Sequence, residues 1–194
     1  GPMGDFNLFR QESAAHPVSS RYYAGGVIAA GQTVNFTVAS HMLYAVPFYS
    51  GRAGNLDKIG VSVVTQRSGG TLQVGVYAID HLSRFFPAGL ILSGSAVSAN
   101  SLGYQMINCV RSVRQDGLYW LACISNVSPV IEGIASNMKW AIFGFDTQSF
   151  YLPLTTLQAS WGYGLLPDTF PINSATVVGS GPAMLVRYGH RQAT

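Results

Sequence analysis

Apolar and polar residues alternate along much of the chain with a period of two. In Gln32–Val38 the apolar residues are Val34, Phe36 and Val38, and polar residues stand between them. A period of two sends alternate side chains to opposite faces of a strand, so this segment predicts a half-buried strand of an antiparallel sheet. The same pattern predicts inward-facing side chains in two later strands, namely Ile59, Val61 and Val63, and then Leu72, Val74 and Val76.

Short runs of this kind continue to the end of the chain, separated by Gly, Asn, Asp and Pro. They give about ten strands at a spacing of about 8–12 residues, which is typical of a β-sandwich or jelly roll. Residues 3–20 lack this period, and we interpret them as a short N-terminal arm or attachment segment. We therefore predict an all-β chain, with an antiparallel β-sandwich of jelly-roll type over residues 21–194.

Two further segments, Tyr104–Val113 and Leu118–Ile124, flank the turn sequence Gln115-Asp-Gly117 and predict a hairpin. The hairpin carries Cys109 and Cys123, which are the two cysteines of the chain. A three-residue loop would place the two cysteines opposite each other, whereas a two-residue loop would part them. Two interpretations stay open, a disulfide or two small buried apolar side chains in a reducing compartment.

The composition is 48% hydrophobic and only 10% charged, against about 25% charged residues in ordinary domains. Either identical subunits cover much of the surface, or neutral polar residues do. The net charge of +3 is not gathered into a basic run, so we expect no nucleic-acid partner. Because no stretch of 18 apolar residues occurs, we also expect no insertion into a membrane.

The sequence predicts a protein that is not an enzyme. Glycosidases need two carboxylates that face each other across a groove. Asp80 could pair with Asp146, or Glu132 with Asp146, but nothing in the sequence brings either pair together. No two histidines stand at the spacing of metal ligands, and neither cysteine has a nearby partner. We therefore expect no catalytic residues, no metal and no cofactor.

Ligand binding has two candidate segments. In Ser160–Gly164, Trp161 and Tyr163 stand among glycines, and exposed aromatic rings on loops suit the apolar faces of sugars. The alternative is a core Trp161 on a strand with a glycine bulge. The second candidate is the loop from Asp80 to Phe86, in which four residues offer charge or aromatic surface to a glycan or to a neighbouring subunit: Asp80, His81, Arg84 and Phe85.

Five strand segments in a fixed order carry a resemblance. They are Leu43–Tyr49, Leu56–Thr65, Val74–Tyr77, Pro87–Leu92 and Gly117–Ala122. The series resembles a β-sandwich domain found in structural proteins of tailed bacteriophages and their prophage relatives, over about residues 22–145. The chain departs from that domain in the Asp80–Phe86 loop, which is small and polar in the proteins it resembles. Residues 146–194 share no such resemblance.

The resemblance implies a virion structural protein, such as a tail-fibre, tail-tip, head-fibre or head-decoration component. Proteins of this kind are homo-oligomers, with trimers favoured, and present loops outward to a host surface. The implied partners are copies of the chain, other virion proteins reached through the N-terminal arm, and a host-surface glycan. Since Gly4–Arg10 lacks the apolar segment of a secretion signal, we expect synthesis in the host cytoplasm and a final location in the virion.

Overall fold

A computed structural model describes residues 22–24, 33–80, 86–135 and 156–189 of the chain. The predicted N-terminal arm and residues His81, Arg84, Phe85 and Asp146 lie outside these ranges. The described residues form thirteen strands and one 3-10 turn at Ile172–Ser174. The strands are β1 (Tyr22–Ala24), β2 (Val34–Thr37), β3 (Met42–Ser50), β4 (Gly54–Thr65), β5 (Thr71–Ile79), β6 (Pro87–Ser98), β7 (Gly103–Val113), β8 (Gly117–Ser125), β9 (Val130–Ile134), β10 (Thr156–Ser160), β11 (Thr176–Val178), β12 (Gly181–Pro182) and β13 (Leu185–Tyr188).

The strands form two antiparallel sheets packed face to face. One sheet has seven strands in the order β1-β13-β4-β9-β12, with β2 paired to β9 and β7 paired to β4. The other has six strands in the order β11-β10-β3-β8-β5-β6. This architecture confirms the all-β sandwich predicted from the alternation of residues. In the described part of the chain, no helix is long and apolar enough to cross a membrane.

The main core lies between the two sheets and uses the faces that the alternation predicts. Ile59, Val61 and Val63 of β4 are buried, and they face Leu72, Val74 and Val76 of β5 within one apolar cluster. Phe36 and Val38 join the same cluster. Each fully buried aliphatic side chain contributes about 1.5–3 kcal/mol to folding, so this cluster is the main source of stability.

The predicted hairpin between β7 and β8 is wrong. β7 pairs with β4 in the seven-stranded sheet, while β8 pairs with β3 and β5 in the six-stranded sheet, so the turn between them joins the two sheets as an arch. Asp116 adopts a φ of 57°; its N–H donates to the carbonyl of Ser50 at 2.9 Å, and its carboxylate accepts a hydrogen bond from the Tyr49 hydroxyl. These contacts hold the turn against the end of β3, at the point where the chain crosses from one sheet to the other.

The arch also decides the state of the cysteines. Cys109 and Cys123 are both free, in agreement with the interpretation as small buried apolar side chains. Burial raises the pKa of the Cys123 thiol to about 12 and that of the half-buried Cys109 thiol to about 11. A thiol that stays protonated is a poor nucleophile, so neither cysteine is suited to catalysis.

A second, smaller apolar cluster lies on the outer face of the six-stranded sheet. Residues 161–175, here called the covering segment, cross that face between β10 and β11 and bury Leu166 and Phe170. These two side chains pack with apolar residues of the sheet, including Leu43, Ala45, Tyr77, Trp120 and Leu157. The Tyr77 and Phe170 rings meet edge to face with centroids 5.5 Å apart. The covering segment therefore turns a two-layer sandwich into three layers on this side.

Candidate functional site: the Trp161 end of the sandwich

Four connections meet at one end of the sandwich, which we call the Trp161 end. They are residues 38–41 before β3, 66–70 before β5, 126–129 after β8 and 161–163 after β10. They meet because β3 and β5 both begin here, whereas β8 and β10, which run antiparallel to β3, both end here. Connections at the end of a sandwich are where binding residues are most often displayed on a rigid scaffold.

His41 joins two of these connections. It has a φ of 57°, a left-handed conformation that is uncommon for residues other than glycine. Its N–H donates to the carbonyl of Ser125 at 2.9 Å, and its carbonyl accepts from the N–H of Trp161 at 3.1 Å. Its Nδ1 accepts from the N–H of Tyr163 at 3.2 Å. The backbone of both candidate aromatic residues is therefore held by one histidine.

Trp161 is exposed, and Tyr163 is only half buried. Trp161 has 39% of its surface accessible, and it follows the last residue of β10. The interpretation of Trp161 as a core residue on a bulged strand is therefore wrong. The Tyr163 ring packs against the second apolar cluster, and its hydroxyl shares a hydrogen bond with the Thr71 hydroxyl. Tyr163 thus anchors the segment, while Trp161 is the more exposed of these two aromatic residues.

Polar groups of the other connections at this end are bonded to one another. The side-chain oxygen of Asn126 accepts from the N–H of Thr71 at 2.9 Å, and the Ser128 hydroxyl accepts from the N–H of Ser40 at 3.2 Å. The exposed Arg67 donates from Nε to the carbonyl of Ser128 at 3.1 Å. The Trp161 end thus displays an exposed aromatic residue and several polar side chains, and these are the residue types that bind sugars, since rings stack while hydroxyls find polar partners.

The second candidate segment lies at the opposite end of β5. The N–H of Asp80 donates to the carbonyl of Phe86 at 2.8 Å and closes the base of the loop. Phe86 packs against the second apolar cluster. Tyr163 contacts Thr71, the first residue of β5, whereas Asp80 comes directly after Ile79, the last residue of β5. Nine residues of strand span about 30 Å, so Trp161 and Tyr163 on one side and Asp80 on the other do not form a single site.

Two further polar contacts, away from the candidate segments, hold the fold together. Asp57 forms a bidentate ion pair with Arg187, in which each carboxylate oxygen lies 2.8 Å from one guanidinium nitrogen. The Tyr77 hydroxyl donates to the carbonyl of Pro167 at 2.6 Å, and burial, followed by the nearby Asp168 charge, raises the Tyr77 pKa. Within the described ranges, no group of three or more His, Cys, Asp or Glu side chains could hold a metal ion.

Sequence reasoning missed His41, because the residue type gives no sign of a left-handed backbone or of a partner 122 positions away. The only available signal was its place in the short polar turn Ala39-Ser-His41 between two strands.

Comparison of the chain with models of known protein families and with curated protein sequences finds no match. The fold itself defines an all-β sandwich, a scaffold that serves many functions.

Proposed function

We propose that the chain is a non-enzymatic structural component of a tailed-bacteriophage particle, of the fibre, tail-tip or head-decoration type. One observation supports this proposal above the others. The five segments that carry the resemblance all fall on strands of the sandwich: Leu43–Tyr49 in β3, Leu56–Thr65 in β4, Val74–Tyr77 in β5, Pro87–Leu92 in β6 and Gly117–Ala122 in β8. The resemblance therefore follows the scaffold of the protein rather than scattered surface residues.

The proposed particle component is homo-oligomeric, with a trimer as the assembly that the resemblance implies. Its 10% of charged residues suit a chain whose surface is partly covered by copies of itself or by other virion proteins, because interface centres are depleted of charge. The N-terminal arm would attach it to those proteins. The protein would be made in the host cytoplasm and released with the particle.

Deletion of the gene from the phage or prophage that encodes it tests this proposal. We expect particles that fail to assemble fully, or that assemble and adsorb poorly, with the defect repaired by the intact chain supplied from a plasmid. A buried-core variant such as Leu121→Asp, which should not fold, is the matched control and should not repair the defect. Normal yield and normal adsorption of the deletion phage would count against a role in the particle.

A second candidate function is recognition of a host-surface carbohydrate at the Trp161 end. The specific observation in its favour is the exposed Trp161. Its backbone N–H donates to the His41 carbonyl, and the same end of the sandwich carries Arg67, Asn126 and Ser128. This function is compatible with the first, since an adhesin can be part of a particle. Trp161 would stack on a sugar ring, and Arg67 would pair with an acidic substituent.

Glycan-array binding by the intact protein tests the second candidate. We expect Trp161→Ala to abolish binding to any glycan that the wild-type protein retains. Leu165→Ala is the matched control, because Leu165 is 79% exposed on the same covering segment but lies outside the polar group at the Trp161 end. If the wild-type protein binds no glycan on the array, or if both variants lose binding equally, the carbohydrate proposal is wrong. The proposal of a structural role in the particle would be unaffected.

A further inference from the structure

The ring of His41 makes its contact through an atom that can take up a proton. Its Nδ1 accepts the N–H of Tyr163 at 3.2 Å. Only a neutral imidazole has a ring nitrogen that accepts a hydrogen bond, because both nitrogens of the charged ring carry hydrogens. The bond therefore needs a neutral His41 with its hydrogen on Nε2. Histidine is the ordinary side chain that changes its charge between pH 5 and 8, which makes such a bond sensitive to mild acid.

The turn that carries this ring is held by main-chain bonds that acid does not affect. The His41 N–H donates to the carbonyl of Ser125 at 2.9 Å, and the His41 carbonyl accepts from the N–H of Trp161 at 3.1 Å. His41 is exposed to solvent, so a proton reaches the ring without any opening of the fold. The effect of acid is therefore limited to the Tyr163 contact and to the main chain that this contact positions.

A positive charge on His41 would meet another positive charge at this end and no negative one. In the four connections of the Trp161 end, Arg67 is the one side chain that is always charged, and no carboxylate occurs. Arg67 is joined to the His41 turn, because its Nε donates to the carbonyl of Ser128 and the Ser128 hydroxyl accepts from the N–H of Ser40. Like charges repel, so protonation adds repulsion to the loss of the hydrogen bond.

The other ionisable side chains of the neighbouring elements do not change charge in the same range or lie elsewhere. Phenols and thiols ionise at alkaline pH. Burial raises the pKa of Tyr44 further, and it raises that of Cys123 to about 12. Asp168 accepts at its carbonyl from Leu90, near the start of β6 at the opposite end of the sandwich, and Glu132 lies on β9 in the other sheet. His41 is therefore the group through which mild acid acts at this end.

The main chain around Trp161 is held on both sides by His41. The Trp161 N–H bonds to the His41 carbonyl, and the Tyr163 N–H bonds to Nδ1. Tyr163 stands between Gly162 and Gly164, where an added side chain would meet nothing within 4 Å, and glycine leaves the main chain the widest choice of conformations. The Tyr163 ring stays packed on the second apolar cluster. Loss of the Nδ1 bond therefore loosens the main chain from Trp161 to Tyr163 without detaching the covering segment.

We propose that the bond between His41 and Tyr163 is a proton-operated latch at the Trp161 end. In the neutral state, Nδ1 fixes the Tyr163 main chain, and Trp161 lies between two bonds to the same residue. Protonation places a hydrogen where the Tyr163 N–H points, so this side of the segment is released. The consequence for ligands rests on the carbohydrate recognition proposed for this end: a sugar stacked on Trp161 is bound more weakly in acid. One net hydrogen bond changes an equilibrium by about fivefold, which sets the size of the effect.

NMR spectra of the intact protein between pH 8 and 5 test the latch. At pH 8 the His41 ring should carry its hydrogen on Nε2, and as the pH falls the Tyr163 amide signal should move with the same midpoint as the ring. His41→Asn is the matched variant, because asparagine tolerates the left-handed backbone and offers an oxygen that mild acid does not protonate. This variant keeps His16, His81 and His190, so the difference between the two proteins isolates His41. Circular dichroism at both pH values checks the fold.

The glycan array repeated at pH 7.5 and pH 5 measures the consequence for binding. We expect the wild-type protein to lose about fivefold in affinity in acid and His41→Asn to change little. A Tyr163 amide that does not move in the wild type, or that moves equally in His41→Asn, would overturn the latch. An equal loss of glycan affinity in the two proteins would overturn its control of binding. If the Tyr163 amide titrates as expected but no glycan binds at either pH, the latch stands and the carbohydrate proposal is wrong.

Discussion

The imidazole of His41 holds the backbone of Tyr163, since its Nδ1 accepts the Tyr163 N–H at 3.2 Å. The bond joins the turn before β3 to the start of the covering segment, and the His41 carbonyl accepts from Trp161 beside it. The presentation of Trp161 to solvent therefore depends on one residue that is itself held in a left-handed conformation.

We predict that His41→Ala destabilises the protein by about 1–3 kcal/mol, because alanine loses the acceptor and is strained at a φ of 57°. His41→Asn should cost less, since asparagine tolerates the left-handed region and places an oxygen near the position of Nδ1. Urea unfolding of the two variants measures the difference. Equal stability of His41→Ala and the wild type would show that the bond does not hold the segment.

The covering segment depends on Phe170 for its attachment. Phe170 is buried, and its ring meets Tyr77 edge to face. We predict that Phe170→Ala costs about 3–5 kcal/mol, as for other large side chains removed from a core. Leu165→Ala, on the same segment but 79% exposed, should change the stability by no more than about 0.5 kcal/mol. Thermal unfolding compares them, and a similar loss in both would contradict the second apolar cluster.

The cysteines predict how stability changes at alkaline pH. The Cys123 thiol is fully buried, and burial raises its pKa from 9.0 to about 12. In the unfolded chain the thiol ionises above pH 9, whereas in the fold it stays protonated until about pH 12. The unfolded state therefore binds fewer protons, and stability falls as the pH rises through this window, by at most about 1.4 kcal/mol per pH unit for this thiol.

Cys123→Ala should flatten that fall, although the variant is less stable at neutral pH because a buried group is lost. Urea unfolding at pH 8, 9 and 10 measures the slope for the variant and the wild type. In addition, iodoacetamide at pH 8 should label neither cysteine quickly in the native protein and both after unfolding. Rapid native labelling of Cys123 would contradict its burial.

The alternation of residues was enough to predict the inner faces of β4 and β5, because burial on one face imposes a period of two on any strand. The Asp116-Gly117 turn was misread because turn residues specify a local reversal and not whether the flanking strands pair. The residue patterns of the two strands on either side of the turn do differ. β8 is apolar on both faces, from Tyr119 to Ile124, because one face lies in the core between the sheets and the other lies in the second apolar cluster. β7 alternates because one of its faces is exposed.

The candidate site was predictable in its residue types but not in its arrangement. Aromatic residues among glycines identified Trp161 and Tyr163, yet only the packing of Tyr163 on the second apolar cluster decides which of the two is presented. The roles of His41 and Asn126 come from contacts across long sequence separations, of 122 and 55 positions. Local patterns carry no information about such contacts. The predictions for His81, Arg84 and Phe85 stay predictions, since these residues lie outside the described ranges.

Mass spectrometry of purified particles from a lysate of the encoding phage or prophage tests the central proposal most directly. If the chain is a virion component, its peptides will sediment with the particles at a fixed copy number relative to the major structural proteins and will remain after a high-salt wash. If the chain is abundant in the lysate but is recovered only in the soluble fraction, it is not part of the particle.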